Sequence, residues 1–575
     1  METTSLSFDF SSGEAEIINI IENVDTEEKI EQVKSSCNKL WDEGWHFVIC
    51  TSLGKDSSVM TTVILNAAIE YASGNRVVPK MAIISSDTGL ENPEIDRYAK
   101  IEIEKIKQFV SDNNIPATIS IARPSLSNNY MVNILGGRTI ASVGKSAKCS
   151  QMLKVSPINK EKNRIFRQLG VKKGARICSV VGKRRDESKA RAISMRSRGE
   201  RSDLPVANEN GEYVLSPIAD FTLDDIFYSI GLVRSELLPS YSDFEDLVRV
   251  YRGAEGGECM VNAYADGQQR KTSCGNRFGC WVCGRVSSDK SMESMLVDPQ
   301  YSYMRPLNHF RNYLLANHFN PEKRNWLART VNDDGTIAIA PNAYSPAFCE
   351  ELLKFALSID ADEQAWALRN NQEPRFQILS PEEIIAIDVL WNRYGYQKGL
   401  HASWLYRDIF HYGQRYYPPS SFSEHPRTPL PAPIHLPFAD DHYDSMTAGF
   451  RDLMTLSLDI EDSIVKKGQY FTDCNTDNEF HVDAEGAELF FQFELDSALD
   501  RYHGDDLISP TAGLHFLIRI GVVVLNKGGH AEMDRMLRLA NQIHRHGIRS
   551  VLDNREKLVG RLSSETLKDT FDLLH

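Results

Sequence analysis

Short apolar runs alternate with helical patterns from about residue 46 onward. The runs have the length of buried strands, and the segments between them place apolar residues three or four positions apart, as amphipathic helices do. This alternation predicts an α/β fold, with a parallel sheet covered by helices on both faces. The predicted strands are residues 46–51, 78–85, 117–121 and 175–182, and the predicted helices between them are residues 57–72 and 93–109.

The pattern also divides the chain. The first 45 residues have helical periodicity, the segment around 250–290 is rich in Gly and Cys, and the region after about 300 is mostly helical. Residues 418–437 contain seven prolines, which is typical of an extended linker or strap. We therefore predict a helical N-terminal extension (1–45), an α/β domain (46–245), a cysteine segment (246–300), a helical domain (301–417), a Pro-rich linker (418–439) and a helical C-terminal extension (440–575).

Composition narrows the possible partners and the compartment. The chain has 575 residues and a formal net charge of −14, so its overall field repels phosphodiesters. Any contact with nucleic acid then needs a local basic patch or a partner protein. The polar, acidic start does not resemble a secretion signal, and no apolar run reaches the roughly 18 residues of a membrane span. We expect a cytoplasmic protein without a membrane partner.

A candidate phosphate loop lies between the first predicted strand and its helix. The sequence Ser52-Leu53-Gly54-Lys55-Asp56-Ser57-Ser58 would place free N–H groups, hydroxyls and a lysine at a helix N-terminus, where phosphate binds readily. Asp56 could hold Mg²⁺ or orient the loop. The segment is not a Walker A loop, because Ile49 occupies the position of that motif's first glycine. The alternative is an ordinary Ser-rich helix start.

Two further polar segments follow predicted strands. Asp87 lies in Ser85-Ser86-Asp87-Thr88-Gly89, at a strand's carboxyl end, where it could contact a ribose or a metal or simply form a turn. Residues 172–201 hold eleven Lys or Arg against three acidic residues. These cations could recognise phosphate, with Arg196, Arg198 and Arg201 on a DNA backbone, or they could form a solvated loop.

Four cysteines form the pattern C-x14-C-x5-C-x2-C, namely Cys259, Cys274, Cys280 and Cys283. They lie in a segment with few core-forming residues, where a bound metal would supply the missing folding energy. Four thiolates suit zinc or an iron–sulfur cluster equally well, and their spacing does not decide between the two.

Several motifs together resemble the adenine nucleotide alpha hydrolases (HUP-like, PP-loop) that include PAPS (phosphoadenylylsulfate) reductases. They are the Ser52 loop, residues 87–94 (DTGLENPE), 148–157 (KCSQMLKVSP), 182–191 (GKRRDESKAR) and 217–222 (PIADFT). This family's usual loop has two glycines, and Leu53 replaces the first. The resemblance implies an ATP pyrophosphatase with Asp56, Lys55, Asp87 and Cys149 as catalytic residues. It implies ATP contacts by Ser52, Gly54, Lys55, Ser57, Ser58, Asp87, Lys154, Arg184, Arg185, Glu187 and Arg191.

The cysteine segment also resembles the DndC family of bacterial DNA phosphorothioation and the similar SspD. The matching stretches are Gly257-Glu258-Cys259, residues 273–283 (SCGNRFGCWVC) and residues 289–292 (DKSM). This resemblance covers about residues 45–400. It implies a sulfurtransferase of phage defence that uses ATP and Mg²⁺, with a [4Fe–4S] cluster on the four cysteines and zinc as the alternative. The implied partners are DNA, a cysteine desulfurase as sulfur donor and other phosphorothioation subunits.

Three alternative functions share the phosphate loop. A PAPS reductase would use a redox cysteine in a C-terminal tail, whereas the last cysteine here is Cys474. A tRNA thiolation enzyme would space its cysteines differently, and a nucleotide-binding scaffold would not need the intact loop. Cys149 could relay sulfur or be a small buried residue; the buried interpretation is preferred for the remaining cysteines, Cys37, Cys50, Cys178, Cys349 and Cys474.

Overall fold

The structure is a computed structural model that forms two compact units. It describes residues 24–144, 148–172, 174–208, 211–254, 279–332, 335–438, 464–466, 469–471, 480–504, 507, 509–526 and 530–563. The first unit comprises Met1–Arg123, Ser150–Trp281 and Ser288–Met304, and the second comprises Pro124–Cys149, Val282–Ser287 and Arg305–His575.

A six-stranded sheet forms the centre of the first unit. Its strand order is β3-β2-β1-β4-β6-β5, and all neighbours are parallel except β5 and β6. The parallel α/β fold predicted from the sequence is confirmed. The strands are β1 (His46–Thr51), β2 (Met81–Ser86), β3 (Ala117–Ala122), β4 (Ile177–Val181), β5 (Val206–Ala207) and β6 (Tyr213–Leu215).

Helices cover both faces of this sheet. Phe47 and Ile49 point into one apolar core, whereas Val48 between them points into the other, as the two-residue period of a strand requires. The helices of the first unit are α1 (Val24–Asp42), α2 (Lys55–Ser73), α3 (Pro93–Asp112), α6 (Ser156–Gln168), α7 (Lys189–Ser197), α8 (Leu223–Arg234), α9 (Glu245–Ala254) and α10 (Lys290–Met295). Helix α4 (Tyr130–Leu135) belongs to the second unit, and the short α5 (Lys148–Ser150) has residues in both units.

The predicted strands are in place, with small changes at their ends. Strand β1 has the predicted bounds, whereas β2 begins at Met81, three residues later than predicted. Pro79 explains this shift, because proline has no N–H with which to enter a strand ladder. Helix α1 lies within the predicted N-terminal extension, and residues 1–23 lie outside the described part.

The second unit is mostly helical, as predicted. Its other helices are α11 (Arg305–Ala316), α12 (Pro346–Asn370), α13 (Pro381–Arg393), α14 (His401–Phe410), α15 (Ala484–Leu489), α16 (Leu495–Tyr502), α17 (Ala512–Arg519), α18 (His530–Arg545) and α19 (Arg555–Leu562). Its short strands include β10 (Ile464–Lys466), β11 (Gln469–Phe471), β12 (Phe480–Val482) and β13 (Val523–Leu525).

A three-stranded antiparallel sheet in the second unit was not predicted. It joins β7 (Arg324–Val331), β8 (Thr336–Tyr344) and β9 (Ile434–Pro437) in the order β7-β8-β9. The first two strands form a hairpin, and Gly335 in its turn has a φ of 75°. The Asn-Asp-Asp-Gly turn at 332–335 was the available sequence signal. Strand β9 had no local signal, because it pairs with a strand that lies far back along the chain.

The Pro-rich segment is held against the second unit's α11. The backbone N–H of His425 donates to the carbonyl of Ala316 at 2.9 Å, and the Phe422 ring lies 5.3 Å from the ring of Tyr313. The segment then enters the sheet as β9. These contacts attach the segment at a few points, and most of residues 418–437 are exposed. Among the described helices, none is both long and apolar enough to cross a membrane.

Candidate functional site

The candidate site lies at the carboxyl ends of β1 and β4. The chain moves from β1 outward to β2 and β3 and then returns to place β4 on the other side of β1. A crevice forms where the strand order reverses in this way, and open α/β sheets bind their ligands there. Two of the motifs found in the sequence begin at this point, residues 52–58 after β1 and residues 182–191 after β4.

Hydrogen bonds to Ser57 shape the loop after β1. The Ser57 hydroxyl accepts from the N–H of Ser52 at 3.2 Å, lies 3.1 Å from the Ser52 hydroxyl and donates to the carbonyl of Gly54 at 3.0 Å. Gly54 precedes α2 and offers no side-chain acceptor to the first N–H groups of the helix. A helix start without a side-chain cap is a place where an anion can bind, so the predicted phosphate contacts stay a prediction. Ser58, also a predicted ATP contact, is fully buried.

Leu53 adopts a backbone conformation that usually belongs to glycine. Its φ is 57°, and its side chain is 1% exposed within the core of the first unit. The left-handed conformation costs a residue with a Cβ about 1–2 kcal/mol. Burial of the leucine side chain offsets that cost, so the loop keeps a tight turn where the resembled family has glycine.

We expect glycine to be less destabilising than alanine at position 53. Both Leu53→Ala and Leu53→Gly lose the buried side chain, at a cost of about 2–5 kcal/mol. Only glycine relieves the left-handed strain, so the Leu53→Gly variant should be about 1 kcal/mol more stable than the Leu53→Ala variant. It should therefore unfold at a higher urea concentration than Leu53→Ala. Leu65 within α2 is the control, because there alanine should be the more stable by about 1 kcal/mol. If alanine were the more stable substitution at position 53 as well as at position 65, backbone strain at Leu53 would be contradicted.

The segment after β4 makes two close contacts with the loop after β1. A Cβ added to Gly182 would lie 2.8 Å from the Cα of Ser57, so only glycine permits this approach. The buried guanidinium of Arg184 donates from Nε to Oδ1 of Asp56 at 2.6 Å and from Nη1 to Asp186 at 3.2 Å. Lys55 Nζ lies 3.8 Å from the other oxygen of Asp56. Asp56 therefore lies between two cations.

The remaining motif residues after β4 form a hydrogen-bonded turn. Oε1 of Glu187 accepts from the backbone N–H of Arg184 at 3.3 Å and from Arg191 Nη1 at 2.8 Å. Arg185 bonds to Asp220 and donates from Nη2 to the carbonyl of Glu200 at 2.8 Å. In this arrangement the predicted nucleotide contacts Arg184, Arg185 and Arg191 each have an acidic partner.

Glu200 organises the basic segment, and sequence reasoning missed it. Its carboxylate accepts from Arg198 at 2.7 Å, from Lys183 at 3.4 Å and from the Ser216 hydroxyl at 3.1 Å. Burial alone would raise the pKa of Glu200, but the bond from Arg198 and the Lys183 charge hold it below its usual value. Arg201 is likewise bound to Asp203 at 2.7 Å. Carboxylates therefore hold two of the three arginines that a DNA backbone could have bound.

The turn after β2 brings further predicted residues to the same edge of the sheet. Asp87 accepts from Arg123 Nε at 2.9 Å and from the N–H of Gly89 at 2.9 Å. Glu91 accepts from the Thr88 hydroxyl at 2.8 Å, and its Oε1 lies 4.0 Å from Nζ of Lys154. Lys154, a predicted ATP contact, therefore reaches this turn through Glu91, which the sequence did not single out.

Cys280 lies against this turn. The backbones of Glu91 and Cys280 pair in an isolated antiparallel bridge, and the N–H of Trp281 donates to the carbonyl of Leu90 at 2.8 Å. The first unit thus places one of the four predicted cluster ligands beside the carboxyl end of β2. This connects the cysteine segment to the sheet edge that holds the candidate nucleotide site.

Cys283 is anchored separately, in the second unit. Its carbonyl accepts from Arg311 Nε at 3.1 Å and Nη2 at 2.9 Å, and the next residue, Gly284, pairs with Val143 in a parallel bridge. Burial raises the pKa of half-buried Tyr130, whose hydroxyl accepts from the N–H of Ser142 at 3.1 Å.

Two of the four cysteines predicted to bind a metal are described by the structure. Cys280 and Cys283 are half-buried, and thiolate sulfur suits iron–sulfur and zinc sites. Cys259 and Cys274 lie outside the described residues, and within the described ones no group of three or more His, Cys, Asp or Glu is placed to hold a metal. The four-cysteine set therefore stays a prediction.

The other cysteines mostly confirm their interpretation as small buried residues. Cys37, Cys178 and Cys349 are buried, and burial raises the pKa of Cys37 to about 12. Cys50 is half-buried in β1, where burial raises its pKa to about 11. None of these thiols is poised to react, because a reactive cysteine needs a depressed pKa. Cys474 lies outside the described residues.

Part of the chain is similar to known proteins. Residues 46–238 match the family model of the phosphoadenosine phosphosulfate reductase domain. Among solved structures, the U34-tRNA thiolase NcsA from Methanococcus maripaludis with its [4Fe-4S] cluster is similar over 47% of this chain and 91% of that chain, at 12% identity and a TM-score of 0.23. No curated protein matches. The family match begins at β1 and ends just after α8, so it includes both motifs of the crevice.

Proposed function

We propose that the crevice between β1 and β4 splits ATP between its α- and β-phosphates and transfers AMP to a substrate oxygen. One observation carries this proposal: the loop after β1 and the segment after β4 meet at the switch point through Gly182 against Ser57 and Arg184 against Asp56. The match of residues 46–238 to the PAPS reductase domain supports a nucleotide there.

The residues of the crevice have distinct roles in this reaction. The N-terminus of α2 and Lys55 bind the β- and γ-phosphates, which leave together as pyrophosphate. Asp56 would hold Mg²⁺, which would neutralise phosphate charge when bound, and Arg184 orients the Asp56 carboxylate through its 2.6 Å bond. Little covalent work falls to the protein, because positioning and charge neutralisation supply most of the rate of phosphoryl-type transfer.

The acceptor that we propose is a DNA phosphodiester, on the strength of the DndC-like cysteine segment. A non-bridging oxygen of the DNA phosphate attacks the α-phosphorus, and the bond from that phosphorus to the β-phosphate oxygen breaks. A thiol reductant releases hydrosulfide from the persulfide of a cysteine desulfurase partner, and this hydrosulfide next attacks the DNA phosphorus. The bond to the activated oxygen breaks, AMP leaves with that oxygen, and a phosphorothioate remains.

The cysteine segment would hold the metal centre of this enzyme. Cys259, Cys274, Cys280 and Cys283 would be its ligands. When bound, a [4Fe–4S] cluster supplies exchangeable sulfide and electrons, whereas zinc at the same thiolates supplies only a structural brace. The bridge between Cys280 and Glu91 holds Cys280 beside the turn after β2. Iron, zinc and acid-labile sulfide contents of anaerobically purified protein distinguish the two.

A product assay tests the proposal. Full-length protein, purified anaerobically, is incubated with ATP and Mg²⁺, alone or with duplex DNA or tRNA. We expect AMP and pyrophosphate, and we expect DNA to increase their release while tRNA does not. Formation of ADP and orthophosphate would disprove cleavage at the α-phosphate. Stimulation by tRNA in place of DNA would keep the nucleotide chemistry and assign a different acceptor.

A further inference from the structure

Helices α18 and α19 form a hairpin on the three-stranded sheet of the second unit. Their apolar side chains enter the core around Trp326, and the N–H of Trp326 donates to the carbonyl of Leu552 at 2.8 Å. Ile543, Ile548 and Leu558 are among these buried residues. The inner face is thus committed to the core, and the outer face presents the polar residues from a rigid support.

Positive charge is concentrated on that outer face. Between positions 545 and 561 the chain has five cations and only two acids, Asp553 and Glu556, within a protein whose net charge is −14. Four of the cations are exposed and Arg555 is half-buried. The set, named here the cationic hairpin, is Arg545, Arg549, Arg555, Lys557 and Arg561.

Hydrogen bonds fix two of these cations in place. Arg561 donates from Nε and Nη2 to the carbonyl of His546 at 3.2 and 3.0 Å. Arg549 donates to the carbonyl of Tyr396 and to the side chain of Gln397, the residue before Lys398. Arg561 at the end of α19 is thus fixed beside the turn after α18, and Arg549 in that turn is fixed to the segment after α13.

Burial and nearby cations of the hairpin lower the pKa values of two histidines, one at the end of α18 and one just after it. Burial lowers the pKa of His546, and the charges of Arg545 and Arg561 lower it further. Burial also lowers the pKa of His544 to about 3, with the same assistance from Arg549 and Lys398. Cations of the hairpin and Lys398 thus act on these two neighbouring histidines.

We propose that the cationic hairpin binds the phosphodiester backbone of duplex DNA. Arginine presents a planar set of donors that fits phosphate oxygens, and backbone contacts position a duplex without reading its sequence. The support is preformed, so little conformational freedom is lost on binding. Because most of the chain repels DNA, a local cationic surface of this kind is what a polyanionic substrate requires. The inference rests on the proposed function for its choice of DNA.

The test uses full-length protein and a short fluorescent DNA duplex, without ATP. Arg545→Glu combined with Lys557→Glu should weaken binding by about tenfold or more, and the slope of log affinity against log salt should fall by about 0.9 for each DNA phosphate that the variant no longer neutralises. Arg369→Glu is the matched control. Arg369 is exposed in the last turn of α12, as Arg545 is in the last turn of α18, so both changes lose the same interaction with the helix dipole.

The outcomes separate this inference from the proposed function. Unchanged DNA affinity in the double variant, or an equal loss with Arg369→Glu, would overturn the DNA surface. Tighter binding of tRNA than of duplex, lost in the same variant, would also overturn it. If the fold is disturbed, the milder Arg545→Gln with Lys557→Gln should still weaken binding by about half as much on a logarithmic scale. Binding is measured without nucleotide, so its result stands whether or not pyrophosphate is released.

Discussion

Asp56→Asn is expected to lower kcat/KM for pyrophosphate release by about 10²–10³-fold, the usual cost of losing one charged group at a reacting phosphate or oxyanion. The amide keeps the shape of the side chain and an oxygen that can accept from Arg184. In the wild-type protein Nε of Arg184 lies 2.6 Å from Oδ1 of Asp56. It removes the negative charge that is proposed to bind Mg²⁺ and that balances Lys55 and Arg184. The effect should therefore fall on turnover far more than on folding.

A matched carboxylate outside the crevice controls for general effects. Asp42 also faces an arginine, with 3.5 Å between its Oδ2 and Nη1 of Arg76, but both side chains are about half exposed at 54% and 43%. Exposed pairs contribute little, so Asp42→Asn should leave pyrophosphate release near the wild-type rate. Wild-type turnover in Asp56→Asn would refute the assignment of the metal-binding role and, with it, the proposed chemistry.

Gly182→Ala is expected to weaken ATP binding by about tenfold or more, because overpacking of this kind costs about 1–3 kcal/mol. The new methyl carbon would lie 2.8 Å from the Cα of Ser57 and 3.0 Å from its nitrogen. Both atoms are backbone, so the strand end or the helix start has to shift. That shift displaces the N–H groups that are proposed to bind the phosphates. Calorimetric titration with a non-hydrolysable ATP analogue measures the change.

The control for this change is a glycine with free space around it. A Cβ at Gly560 in α19 would meet no atom within 4 Å, so Gly560→Ala should leave ATP affinity unchanged and slightly stabilise the helix. ATP affinity equal to wild type in Gly182→Ala would show that the close approach does not matter for binding. Asp56 and Gly182 thus test the same crevice from its two sides.

The sequence by itself determined the local elements of the first unit. The apolar run at His46–Thr51 and the Gly-Lys-Asp start of α2 are signals that lie within a few residues of the structure they produce. The parallel α/β fold followed, because alternating strands and helices have few ways to cover both faces of a sheet. The candidate phosphate loop was visible for the same reason, since its chemistry depends on consecutive residues.

Only the tertiary structure decided which distant residues meet. Asp56 and Arg184 are 128 positions apart, and their contact depends on β4 returning beside β1. Likewise β9 could not be recognised alone, because its partner β8 ends some ninety residues earlier in the chain. Local propensity carries no information about such pairings, since their free energy comes from burial and charge compensation between segments that only the packed chain brings together.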